Sequence, residues 1–231
     1  MHYIILFLLL TGNICILAQV DLNQVDHRNN RTGFWTDTLK SHIEKGHYVA
    51  GKKDGLWKKF HNIKSYRHLA EISEYNKGQL DGDLISIDYK GHLSLHETYI
   101  NGQLNGKRIV YTSHAKVERV ESYKQGLLDG ELIIYYNNEK PQEVTNYKDG
   151  ARNGITKWFN QNGILILEST YVMNVLEGEQ KAFTETGALK LKGGYLKNQK
   201  CGEWEHYGDE GKLLKKEIYK DGEKVKEKKY K

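Results

Sequence analysis

Only one proline, Pro141, and two cysteines, Cys15 and Cys201, occur in the 231 residues of this chain. A single proline excludes a proline-rich linker, and an apolar fraction of 38% is too small for a large globular core. The apolar amino-terminal stretch, Tyr3 to Leu10 and then Ile14 to Ala18, is interrupted by Thr11 to Asn13. It falls short of the ~20 residues that a spanning helix needs. A cleavable export signal over residues 1–18, cut between Ala18 and Gln19, is the expectation, with an uncleaved membrane anchor as the alternative. Ile14 precedes Cys15 where a lipoprotein signal needs a small residue, so lipidation is not expected. Cleavage would leave Cys201 as the sole thiol of an exported (periplasmic or extracellular) chain, which then has no internal disulfide.

Nor is there a charge excess over most of the length. The net charge is +5. Lys212 to Lys231 contains nine lysines against Glu217, Asp221, Glu223 and Glu227, which accounts for all of it and leaves a neutral body. A neutral body offers no electrostatic funnel for nucleic acid. Residues 223–231 read as a basic tail whose Lys224, Lys226, Lys228, Lys229 and Lys231 either are simply solvated or touch a membrane or another anionic surface.

What the chain has is a period. Tyr75, Tyr99, Tyr123, Tyr147, Tyr171, Tyr195 and Tyr219 follow one another at 24 residues, with Tyr48 a further 27 upstream. A fixed step of this size marks a repeat array. Three residues after the tyrosine stand Gly51, Gly78, Gly102, Gly126, Gly150 and Gly222, replaced by Asn174 and Asn198 in two units. Glycine and asparagine tolerate positive φ best, so this is a left-handed turn position. Four residues further come Gly55, Gly82, Gly106, Gly130, Gly154, Gly178 and Gly202 without substitute, which predicts a place where another backbone lies too close for a side chain.

Short apolar runs such as Lys107 to Thr112, Glu131 to Tyr136 and Ile155 to Phe159 then read as strands. A second turn is expected at Gly91, Gly163, Gly187 and Gly211, with Asn137-Asn138 serving where that glycine is missing. Return strands carry Leu93, Val117, Leu165, Leu189 or Leu213 six residues before the next tyrosine, an even spacing that predicts one shared face. The expectation is an all-β, single-layer antiparallel meander of about seven hairpins, residues 33–222, with fourteen or fifteen strands. It follows a polar spacer, 19–32, in which Asn30-Arg31-Thr32 is a chance glycosylation sequon. Gly33-Phe34-Trp35 echoes Gly55-Leu56-Trp57 and Gly202-Glu203-Trp204, as a degenerate first unit would. A second aromatic row (Phe60, Tyr111, Tyr135, Phe159, Phe183, Tyr207, with Ile87 in its place once) falls twelve residues after the tyrosines, and the spacing leaves open which face it takes.

Catalytic constellations are scarce. His92 and His96 are ~13 Å apart along a strand, too far to share a metal. Cys201 beside Lys200 has no histidine or acid at triad spacing, and Gly-x-x-x-Gly lacks the ending of a phosphate loop. Neither an enzyme nor a cofactor is implied. The unit Tyr-x-x-Gly-x-x-x-Gly-x-x-x-x-Tyr/Phe resembles the MORN repeat, in the variant form found in many bacterial proteins described as antitoxins of secreted-toxin systems. That resemblance implies an open β-meander and a scaffold for proteins or membranes. The reading is a non-catalytic exported protein binding a macromolecular, most plainly protein, partner through one face of the meander, in a toxin-neutralising or immunity-like role. The alternative is an envelope element using its basic end. Tyr75, Tyr99, Tyr123, Tyr147, Tyr171 and Tyr195 are either partner anchors or the packing between hairpins. Tyr123→Ala and Tyr147→Ala are each expected to cost about 2–4 kcal/mol in urea unfolding when the ladder is packed. A negligible loss would place those rings in solvent.

Overall fold

The computed structural model describes residues 22–63 and 68–230. The expected signal, its Ala18/Gln19 cleavage point and Lys231 lie outside these residues. Among the described residues there is no helix, and eighteen strands follow one another. They are β1 (Gln24–Val25), β2 (Arg31–Thr38), β3 (His42–Val49), β4 (Lys52–His61), β5 (Leu69–Asn76), β6 (Gln79–Ile87), β7 (Leu93–Ile100), β8 (Gln103–Tyr111) and β9 (Val117–Lys124). The second nine are β10 (Leu127–Tyr135), β11 (Pro141–Lys148), β12 (Ala151–Phe159), β13 (Leu165–Val172), β14 (Val175–Phe183), β15 (Leu189–Leu196), β16 (Gln199–Tyr207), β17 (Leu213–Lys220) and β18 (Glu223–Lys229). Each pairs antiparallel with the next, so the chain is one open meander. The sequence expectation fell short of eighteen strands because two segments read as spacer and tail also pair. Gln24–Val25 of the spacer form β1, Arg31 and Thr32 open β2, and the lysine-rich 223–229 is β18.

After each tyrosine the chain reverses through two residues that both have positive φ, such as Lys77 (φ 49°) and Gly78 (φ 88°), or Gln125 (φ 50°) and Gly126 (φ 81°). This geometry follows the natural twist of a hairpin. Asn174 and Asn198 substitute at φ 68° and 66°, as their residue type predicted. The partner position is occupied by Asn101, Asp149 and Asp221, whose residue types suit it, and by Ala50, Lys77, Gln125, Met173 and Lys197, whose identities give no such warning. Each turn is tied to the hairpin before it. Gly126 N–H donates to the Leu104 carbonyl at 2.8 Å, Gly150 to Leu128 at 2.8 Å and Asn174 to Arg152 at 2.9 Å. An acid or amide of the preceding unit accepts from the same turn: Asp54 from Lys77 N–H at 3.1 Å, Asn153 from Met173 N–H at 3.3 Å. Cys201 occupies this acid position of its unit, counted from the tyrosine.

The second glycine is a bulge inside a strand rather than a turn. Leu128 faces Tyr123 and Leu132 faces Glu121, so Asp129, Gly130 and Glu131 stand opposite Ser122 alone. Gly82, Gly106, Gly130, Gly154 and Gly178 have φ between 110° and 131°, which side-chain-bearing residues rarely adopt. What crowds them is the neighbouring strand's side chain and not its backbone: a Cβ on Gly130 would lie 3.0 Å from Ser122 Cβ. Gly55 (φ 69°) and Gly202 (φ 63°) form a second class with open space around them. In that class a tryptophan two residues on, Trp57 or Trp204, fills the position over Gly46 or Gly193, where a Cβ would run into the indole. Those two rings are 2% and 0% exposed.

The other edge turns through three residues. Gly91, Gly163, Gly187 and Gly211 take the left-handed position, and Ala115 and Glu139 replace them, at φ 58° and 66°. Glu139, rather than Asn137-Asn138, therefore does the glycine's work. Beside this turn lies another bulge: Ile134 faces Glu143 but Tyr135 faces Pro141, leaving Gln142 unpaired. Such bulges break the parity used above, so Val117 joins Val120 and Tyr135 around one groove instead of sharing the face of Tyr123. At the carboxyl end Lys226 occupies the second-glycine position. The bulge shrinks to Val225, and Glu227 instead of Lys228 faces Glu217.

The two glycine classes give a differential test. Gly130→Ala is expected to cost about 1–3 kcal/mol through its backbone conformation. Gly202→Asn, in a left-handed well with room around it, is expected to cost under about 1 kcal/mol. Urea unfolding of the two variants decides, and equal costs would remove the distinction.

Candidate binding faces

The face bearing the tyrosines (the front) is built around one row of cross-strand neighbours running the length of the sheet. It passes Trp57, Ser73, Leu84, Glu97, Arg108, Glu121, Leu132, Thr145, Thr156, Ser169 and Gln180. Ser73, Glu97, Glu121, Thr145, Thr156, Ser169 and Glu217 are all buried, so the core of this thin sheet is largely polar. Partners make that tolerable for most of them, the Thr156 hydroxyl being without one. Arg108 donates to Glu97 at 2.7 Å and to Glu121 at 2.8 Å, joining three strands, while Tyr99 Oη donates to Glu97 at 2.8 Å. Burial and that carboxylate push the Tyr99 hydroxyl up to about 12. Glu217 is held by Lys215, His206, Lys224 and Tyr219, with the Lys215 bond foremost in keeping it well below the ordinary carboxylate range.

The ladder rings are half-buried among these partners. Trp57 packs edge-on between Tyr48 and Tyr75 at 4.9 and 6.4 Å, and Trp204 between Tyr195 and Tyr219 at 5.2 and 6.2 Å. In three units the residue five after the tyrosine is a cation that covers the next ring. Lys53 lies over Trp57 and Tyr75, Lys200 over Trp204 and Tyr219, and Arg152 over Tyr171. The sequence-predicted ladder is thus brought onto one face, engaged with its own chain.

The second aromatic row lies on the opposite, back face, as Tyr207 shows by bonding Glu205. One row of cross-strand neighbours there changes character abruptly. From β5 to β11 it reads Ile72, Ile85, His96, Ile109, Val120, Ile133, Val144. From β12 it reads Lys157, Glu168, Lys181, Lys192, Glu205, Lys216. The charged half satisfies itself, with Lys192 and Lys216 each 2.8 Å from Glu205. The apolar half is half-buried and bordered by Leu69, Ile87, Leu93, Tyr111, Val117 and Tyr135. At its margin, beside the three-residue turns, is a groove of about 400 Å³ lined by Val117, Val120 and Tyr135 together with Ala115, Lys116 and Glu139. His96 is held to Asp83 at 3.2 Å and His92 to Asp88 at 3.6 Å, so the histidines have separate acid partners. Among the described residues no His/Cys/Asp/Glu group is placed to hold a metal. Sequence reasoning missed the apolar row because its members share a face only once both bulges fix the register.

The family model of the MORN repeat variant matches residues 128–149, 152–173 and 200–221. No curated protein matches the chain.

The Glu205 cluster predicts a pH signature. Lys192 first, then Lys216 and Tyr207, hold its carboxyl at about 2, below the ordinary 4.5. A depressed carboxyl stabilises the fold above its unfolded value, and the contribution disappears as pH falls through the folded one. Glu205→Gln should therefore lose about 1 kcal/mol against wild type at pH 7, allowing for solvent screening. The gap should close towards pH 2 in urea titrations, and a pH-independent gap would show that charge is not the cause.

Proposed function

Its matched repeats being MORN repeats of the variant type, which are often involved in binding to membranes or proteins, we propose that the chain is an exported, non-catalytic protein that binds a protein partner through a sheet face. A toxin-neutralising or immunity-like role is the finer form of this reading. The observation that carries it is the apolar row Ile72–Val144 on the back of a one-layer sheet. A sheet normally buries its apolar face against a second layer, and the described residues contribute only the one sheet. Export rests on the apolar amino-terminal stretch. Support for the rival membrane reading comes from β18, where Lys224, Lys226, Lys228 and Lys229 are all exposed, although Lys224 is already 3.2 Å from Glu217 and 2.7 Å from Glu227.

Affinity capture from the envelope fraction of the native host tests both. Wild type should retain one protein specifically, Ile109→Glu should lose it, and Lys226→Glu/Lys228→Glu should keep it. Retention by Ile109→Glu would remove the back face from consideration. Binding to anionic vesicles that the double lysine substitution abolishes, at moderate salt, would favour the membrane reading.

A further inference from the structure

Resting on the protein-binding reading, we propose that the back-face band over β5–β11 seats one amphipathic α-helix of the partner, about twenty residues long, lying across the strands with basic residues along one flank. Dimensions come first. Seven strands at ~4.8 Å give about 29 Å from centre to centre, and a twenty-residue helix is about 30 Å long. Across the strands' own direction the band is two rows wide: Ile72 to Val144, and the fringe of Leu93, Tyr111, Val117 and Tyr135. With side chains this is roughly the 10–12 Å of a helix. The row is basic at both ends, where Lys58 faces Ile72 and Lys157 faces Val144.

The same dimensions argue against other occupants. A footprint of roughly 30 by 12 Å buries too little for a second copy of the chain, because a stable interface needs about 1,200 Å² or more in total. An added strand needs a sheet edge, and this band is in mid-sheet. Charge supplies the flank. In the row next to the band on the side of the two-residue turns, Glu74, Asp83 and Glu131 stand against Lys107, in the pairs Asp83–Thr98, Lys107–Ser122 and Glu131–Asn146, with Asp83 also 3.2 Å from His96; the exposed Lys124 and the Asp129-bound Lys148 lie one row farther out. The other margin is mixed, with Lys90, Lys116 and Lys140 against Glu118 and Glu139. Toward the margin of the three-residue turns, the open groove lined by Val117, Val120 and Tyr135, with Lys116 and Glu139 on its rim, offers an apolar floor for one side chain of the helix.

The test uses the full chain and a labelled synthetic peptide of about twenty residues, with leucines at the i, i+3, i+4, i+7 spacing of one helical face and lysines along one flank. Fluorescence anisotropy should show saturable binding with Kd in the micromolar range. Val120→Glu, or Val120→Thr if the charge unfolds the chain, should weaken it at least tenfold. Leu196→Glu, exposed near a turn, should leave it unchanged. A peptide carrying glutamates on the flank should bind at least tenfold more weakly. No saturable binding, or binding indifferent to Val120, would overturn the proposal. Should Ile109→Glu abolish capture of the native partner while the peptide fails to bind, the face reading would stand and the helix would fall.

Discussion

Each two-residue turn donates one backbone hydrogen bond to the hairpin before it, and the regularity of the whole ribbon depends on that contact. The bulge at the second glycine bends the strand enough for the bond to form, and an Asp or Asn one residue earlier holds the same turn from its side chain. Every element is therefore stabilised by its sequence neighbours. In such arrays stability is a sum over units and their junctions, without a central core. A polar row can then occupy the middle of the sheet, because ion pairs such as Arg108 with Glu97 and Glu121 bridge adjacent strands directly.

Since turns and bulges define the backbone, each row of side chains is free to follow its own chemistry. Midway along the ribbon the two faces exchange character. Up to β11 the apolar row is on the back, opposite the charged Glu97–Arg108–Glu121 group. From β12 the back is a ladder of lysines and glutamates. The front row there runs Trp158, Leu167, Ala182, Leu191. Neither stretch has a second layer from the described residues above it, and a one-layer sheet with apolar surface on alternating sides is a molecule shaped by what it meets.

Much of this was legible in the residues. The 24-residue step, the left-handed glycines and their asparagine substitutes, and the strand-forming runs gave the meander. What escaped was register. Positive φ at Lys77, Gln125 or Met173 has no signature in residue type, because the hairpin imposes it. The bulge at Gln142 and its equivalents reverses the parity that spacing alone suggests, so the second aromatic row could not be assigned to a face and the apolar back row could not be seen. Residues 223–229 read as a solvated tail because lysine-rich sequence looks the same whether free or lining a sheet edge. Lysine is one of the devices by which edge strands avoid pairing with other chains.

Lys226 carries a consequence of its own. It occupies the position at which seven earlier units have glycine, and without that glycine the last strand slips by one residue relative to the pattern. Its side chains are therefore offset by one residue from the register that the earlier junctions share. Internal duplication or loss of a 24-residue block remains compatible with every junction upstream. The reach of such a ribbon is thus most easily altered in whole-hairpin increments upstream of Lys226.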